Sequence, residues 1–387
     1  MTLGFRFGMD LLLDERRTWL AGRRIGLVAH PASVTADGRA SAARLREASD
    51  ARLVSLFGPE HGWFGQAGPG ERCASRRHPE WAIPIYSLYG ATRKPTRAML
   101  RGVDTLVFDL QDIGVRCYTY ASTLRLVLEA AAEAGIRVVV ADRPIPFGRI
   151  CDGPLPDAEC ESFVAAIPAP FVYGMTPGET ALWLREILGL DLDLKVAPMR
   201  GYRRECRIGK PGLKWISPSP AIRNLNSALC YPATVCFEAL GALDHGRRTR
   251  FPFQAIGATW IRPHETAEAL TAAGLPGMTV AACAYAPEGG RGRRLPGVRL
   301  RVTDRGAYRP ALVALTLLSV LGDLYGKDRL WSKTSGARPA FFDRLFGTAA
   351  VRLALLDGER PARIAARWSK GLRAFAAARG RHALYAV

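Results

Sequence analysis

The chain has 387 residues, 48% of them hydrophobic and 23% charged, which fits two globular α/β domains and excludes a disordered or fibrous protein. Its net charge of +19 comes from arginine: Lys and Arg total 54 and only seven are Lys, so 47 are Arg. No helix-turn-helix, aromatic RNA-binding strand or finger accompanies the densest basic runs, at 200–207 and 289–294, so nucleic acid is not an expected partner.

Arginine spread along the whole chain reads as the codon bias of a GC-rich genome, with attraction of an anionic substrate as the functional alternative. The eight cysteines include no C-x-x-C pair and no matching histidine pair, so no zinc site is expected, and free thiols fit a reducing compartment. The N-terminus has no basic head before a long apolar run. It predicts neither a signal peptide nor a membrane span, hence a cytoplasmic protein.

In chain order, strands are predicted at 24–30 (RIGLVAH), 52–57 (RLVSLF), 83–88, 105–110 (TLVFDL) and 137–141 (RVVVA). Helices are predicted between them at 40–48, 96–101 and 119–134, the last capped by Thr119 and closed by Gly135. This alternation is that of a mostly parallel, Rossmann-like sheet with flanking helices. A helix at 178–188 follows the Thr176 cap and Pro177, and a strand follows at 192–198. The run 215–220 (WISPSP) is too rich in proline for regular structure, and 227–243 includes helix. From 255 the texture changes. Strands at 278–285 and 298–302 lie among helices at 264–273, 309–325 and 361–378, which predicts a Rossmann-like domain over 1–254 and a smaller α/β domain over 255–387.

Ligands of open parallel sheets bind beyond the carboxyl ends of the strands, where this sequence places its unusual polar residues. His30-Pro31, Gly58-Pro59-Glu60-His61-Gly62, the run from Asp109 to Arg116 and Asp142-Arg143-Pro144 each follow a strand, and all are expected to face one crevice. Glycines flanking Glu60 open the backbone to a ligand, and a partly buried carboxyl there is suited to protonate a leaving oxygen; capping or pairing with an arginine is the structural alternative. His61 is a candidate substrate ligand. Asp109, Gln111, Asp112, Arg116, Tyr118, Thr119 and Tyr120 suit a polyhydroxylated ligand, with an Asp–Arg pair fixing the loop while Thr119 caps the next helix as the other reading. The pair Asp142-Arg143 reads equally as site or as structural ion pair. Tyr173, Glu179, Ser219, Asn224 and Arg247 lie in later segments that can line the site. No G-x-G-x-x-G, P-loop or G-x-S-x-G is present, so a nucleotide cofactor or a serine nucleophile is not expected. Asp109 and Asp112 can also be read as magnesium ligands of a metal-dependent hydrolase.

Taken in order, GPEHGWFG, SLYG, FDLQDIGVRCYTY, DRPIPFG, YGMTPGE, WISPSP, GRRTRFPF and FFDRLFGT resemble the exo-β-N-acetylmuramidases of peptidoglycan recycling, from about residue 22 to the end. The resemblance implies a Rossmann-like domain without nucleotide, a smaller C-terminal domain, and a cleft between them that releases non-reducing terminal N-acetylmuramic acid from muropeptide or disaccharide wall fragments. It implies Glu60 as the catalytic acid, with Asp109 and Asp112 as candidate partners, no cofactor and no bound metal. An arginine, Arg116, Arg143 or Arg247, is expected to hold the lactyl carboxylate. The alternative is a glycan-binding protein without turnover. The chain departs from the family pattern at Asp244-His245, at Gln254 where a Glu is usual, and at Ala221, with Asn224 displaced.

Overall fold

A computed structural model describes residues 4–48, 50–204, 214–287 and 294–386. Residues 205–207 of the first arginine-dense run, with Cys206, and 289–293 of the second lie outside these residues. The chain opens with α1 (Gly8–Asp14), whose apolar residues the sequence reading left as a short block. Then follow β1 (Arg24–Ala29), α2 (Ser41–Glu47), β2 (Arg52–Gly58), β3 (Arg76–Arg77), β4 (Pro84–Ser87), β5 (Thr105–Asp109), α3 (Tyr120–Ala134), β6 (Arg137–Ala141), α4 (Pro177–Ile187) and β7 (Leu194–Ala197).

The seven strands form one sheet in the order β3-β4-β2-β1-β5-β6-β7, parallel throughout except for β3 on β4. The β5 run TLVFD is buried along its whole length, as a central parallel strand covered on both faces must be. From β1 the chain winds first toward β2 and β4, then returns to the other side of β1 for β5. That reversal opens a crevice at the carboxyl ends of β1, β2 and β5.

The remaining elements are α5 (Leu225–Thr234), β8 (Ala255–Gly257), α6 (Pro263–Ala273), β9 (Met278–Tyr285), β10 (Leu295–Val302), α7 (Pro310–Tyr325), α8 (Lys327–Trp331), α9 (Pro339–Phe346), α10 (Ala350–Leu356), α11 (Pro361–Ala366) and α12 (Ser369–Gly380). Strands β8-β10-β9 make a second, smaller antiparallel sheet packed under α6, while α5 packs between β10 and α7.

Two expectations are corrected here. Residues 97–102 form turns, closed by Gly102 at φ 79°, instead of the helix expected over 96–101. The helix expected over 361–378 is two helices, α11 and α12. Between them the bonds from Arg367 to Ile364 and from Trp368 to Ala365 span three residues instead of four.

Candidate active site

A pocket of about 330 Å³ opens at the carboxyl ends of β2 and β5, closed on its far side by the loops before α5 and before β8. That volume is enough for a sugar ring. Glu60 sits on its wall, two residues beyond β2. One carboxylate oxygen accepts the Gly70 N–H at 2.8 Å and the other accepts the Thr119 hydroxyl at 2.6 Å. Thr119 begins α3 yet makes no side-chain cap; its hydroxyl turns to Glu60 instead. A hydroxyl donates to a carboxylate and accepts from a carboxylic acid, so Thr119 serves Glu60 in both protonation states. Tyr89 lies beside it, its phenol pushed up to about 12 by burial and then by the Glu60 charge.

His61 also lines the pocket. Its Nδ1 lies 2.9 Å from the Ala67 carbonyl, which only accepts, so Nδ1 carries the proton and Nε2 keeps its lone pair in the neutral ring. His61 and Phe253, at φ 71° and 61°, are two of the three non-glycine residues in the left-handed region among the described residues, and both line this pocket. Strain gathered there is consistent with a preorganised site.

An aromatic chain forms the opposite wall. Tyr120 meets Tyr118 at 4.8 Å between ring centres, Tyr118 meets Tyr231 at 5.7 Å, and Tyr231 meets Phe253 at 4.8 Å. The Tyr120 hydroxyl donates to the Pro218 carbonyl at 2.8 Å, and the buried Tyr118 hydroxyl lies beside Ser219 and Tyr120. Ser219 lines the same wall, and Arg223, Arg247 and Arg248 bring positive charge to it. Arg247 pairs at 2.6 Å with Glu238, which lies in a 3₁₀ segment (Val235–Ala239) just behind it. Burial raises the Glu238 carboxyl against the lowering effect of Arg247, and Glu60 is close enough to raise it further. The sequence offers Thr119 both as a ligand group and as a cap, and does not single out Glu238, a lone acid in the apolar run VCFEAL. Nothing in that run distinguishes a pocket acid from a solvated one.

The other expected site residues are not on the pocket wall. Asp109 is fully buried and receives Arg143 on both oxygens, at 2.5 and 3.0 Å; Arg143 also donates to the Val34 carbonyl and lies over the Phe7 ring. Asp142 accepts from Arg143 N, Thr176 Oγ1, Gly178 N and Tyr385 OH, and burial pushes it up to about 7. Asp112 is buried beneath the loop, bonded by Tyr173 OH at 2.5 Å and by the Ile113 N–H, and pushed up to about 6 by burial. Gln111 donates to the Asp112 and Pro144 carbonyls. Glu179 pairs with Arg204 and completes the capping box of α4 with Thr176. Asn224 caps α5 through the Ser227 N–H.

Arg116 forms no ion pair among the described residues. It donates to the Pro154, Ala169 and Phe346 carbonyls, fully buried, where no sugar carboxylate reaches. Of the three arginines expected to hold a lactyl group, only Arg247 is on the pocket wall. The reading of Asp109 and Asp112 as magnesium ligands fails on the same geometry. Both oxygens of Asp109 are taken by Arg143, and no cluster of three metal-ligating side chains forms among the described residues.

The family model described as exo-beta-N-acetylmuramidase NamZ, N-terminal, matches residues 25–226, and its C-terminal counterpart matches 229–385. The chain belongs to the exo-β-N-acetylmuramidase family. It is 37% identical over 381 residues to the peptidoglycan beta-N-acetylmuramidase NamZ of Bacillus subtilis, an alignment covering 98% of this chain and 91% of that one. A crystal structure of a DUF1343 family protein from Bacteroides fragilis superposes with a TM-score of 0.91 at 31% identity over 100% of both chains. A second DUF1343 structure from the same organism gives 0.76 at 26% identity, over 98% of this chain and 99% of that one. Gln254, where the sequence resemblance led to the expectation of a Glu, lies just before β8. Its side chain accepts from Asn226 and donates to Ser227, tying the start of β8 to α5.

Proposed function

We propose that the protein hydrolyses the bond joining a non-reducing terminal N-acetylmuramic acid to the rest of a peptidoglycan fragment, with Glu60 protonating the leaving oxygen. The observation that carries this reading is the pocket itself. Glu60 is the one carboxylate lining it among the described residues, held by Gly70 and Thr119 and set against an aromatic wall with three arginines. Aromatic faces suit the apolar face of a pyranose ring, and the arginines suit the lactyl carboxylate that distinguishes muramic acid from glucosamine.

A scheme with two carboxylates on the wall finds only one there. Glu238 stands behind Arg247, and we read it as the residue that holds that guanidinium in place. The attacking group is then water or the substrate's own acetamido oxygen, and the anomeric configuration of the released sugar, followed by NMR, separates the two.

The test compares chromogenic β-glycosides of N-acetylmuramic acid and N-acetylglucosamine, with Glu60→Gln alongside the parent. Cleavage of the first glycoside alone is expected, with kcat lowered about 10²- to 10⁴-fold in the variant. Undiminished turnover by Glu60→Gln would remove Glu60 from the chemistry. Fragments bound by the parent but never cleaved would make the protein a glycan-binding one.

A further inference from the structure

A second groove, of about 1160 Å³, shares no lining residue with the Glu60 pocket. Helix α5 stands between them, giving Tyr231 to the pocket and Leu225 and Leu229 to the groove. The groove runs between α12, the loop after β10 and the loop after β6, and of its 21 lining residues among those described seven are arginine and one, Asp304, is acidic. Arginine makes up 47 of 387 residues in the chain, so the codon bias that explains the total does not explain one residue in three here.

The arrangement matters more than the count. Arg204 and Arg379 converge on a single oxygen, the Gly174 carbonyl, at 3.1 and 3.3 Å. Glu179 is the carboxylate beside them and is ion-paired to Arg204. Arg379 donates otherwise only to the Tyr173 carbonyl, through the same nitrogen, which leaves Nε and Nη2 without a bond among the described residues. Arg204 is buried and spent on Glu179 and on the Gly148 and Gly174 carbonyls, so among the described residues Arg379 is the member of the pair that keeps donors free. Asp304 accepts the Gly306 and Ala307 N–H groups of its own turn on Oδ1 and forms no ion pair with Arg204 or Arg379 among the described residues. Further along, Arg301 and Arg373 are exposed and form no ion pair among the described residues.

We infer that this groove binds a phosphate-bearing ligand, with a phosphoryl group on the free Nε and Nη2 of Arg379 and further negative charge along Arg301 and Arg373. A planar carboxylate is saturated by one bidentate guanidinium, whereas a phosphoryl group offers three oxygens and can accept from two guanidinia at once. The site is separate from the Glu60 chemistry and does not depend on it.

The test is isothermal titration of the whole protein with pyrophosphate and, separately, with a tetraglutamate peptide, at about 0.15 M salt so that loose surface attraction is screened. The variants are Arg301→Ser/Arg373→Ser in the groove and Arg97→Ser/Arg101→Ser, an equal loss of exposed charge elsewhere. Pyrophosphate is expected to bind the parent and the control alike and to bind the groove variant about tenfold more weakly or worse, as loss of charge-assisted hydrogen bonds implies. Glycoside hydrolysis is expected to be unchanged in the groove variant, which also shows that it is folded. Absence of pyrophosphate binding, equal weakening in the control, or binding displaced by a muramic acid ligand of the Glu60 pocket would each overturn the site. Tighter binding of tetraglutamate than of pyrophosphate would overturn its assignment to phosphate.

Discussion

Glu60 is held by a fixed donor, the Gly70 amide, and by an adaptable one, the Thr119 hydroxyl. Thr119→Val keeps the shape and removes the second. It is expected to lower kcat about tenfold, the worth of one hydrogen bond to a charged group, and to move the pH–rate profile, while Thr119→Ser restores both. A variant with unchanged kcat and pH profile would show that Thr119 only packs. His61 pairs its place on the pocket with a strained backbone. His61→Gly is expected to raise stability by about 1 kcal/mol in urea unfolding and to reduce turnover, since the strain is relieved as the imidazole is lost. Asp109 behaves differently from both. Asp109→Asn leaves the Arg143 charge buried with half its partner, and is expected to cost about 3 to 5 kcal/mol of stability. In sequence, Glu60 stood out because glycines bracket it, but Asp109 and Asp112 looked as much like site residues as Glu60 did. Which carboxylate finds a buried partner depends on residues 34 to 61 positions away in the chain, and no local pattern carries that.

At the scale of elements, the pocket depends on how α5 begins. Residues 219–223 form its wall, and the segment ends at Asn224, whose side chain caps the helix through Ser227. Asn224→Ala is expected to cost about 1 kcal/mol, the usual worth of an N-cap, and to raise KM more than it lowers kcat, because the wall loosens while Glu60 stays in place. An unchanged KM would mean that the loop is held by other contacts. One such contact is His30, which takes the Gln111 N–H on Nε2 at 2.9 Å and donates from Nδ1 to the Pro218 carbonyl at 3.1 Å, so it ties the ends of β1 and β5 to this loop. The strand at 24–30 was legible from its apolar run. The use of its terminal histidine as a strut was not, since the partners come from two distant segments.

Across the whole molecule, buried titratable groups pull in opposite directions. Asp112 and Asp142, raised by burial to about 6 and 7, hold protons that the unfolded chain releases near its ordinary value of 3.8, so their contribution to stability falls as pH rises across that window. His30 and His245, lowered by burial to about 3, refuse protons that the unfolded chain takes up near 6.5, so theirs falls as pH drops below that value. Between pH 4 and 6.5 the two trends oppose each other. Asp142→Asn removes one carboxyl, so its urea midpoint is expected to rise more steeply with pH than the parent's. Equal slopes would show that Asp142 is ionised throughout. Arg116 is the other long-range device, joining α9 to the first domain through the Phe346 carbonyl.

The amino-acid sequence by itself determined the alternation of parallel strands with the helices at 41–47, 120–134 and 177–187, the family, and the position of the Glu60 motif at a strand end. All of these rest on local periodicity, glycine and proline placement, and runs of neighbouring residues. Only tertiary structure decided that Thr119 serves Glu60 instead of its own helix, that Glu238 backs Arg247, and that Asp109, Asp112, Asp142 and Arg116 are spent inside the fold. A buried charge must find its counter-charge or its carbonyls wherever the folded chain brings them, and that search is settled by packing between segments far apart in sequence.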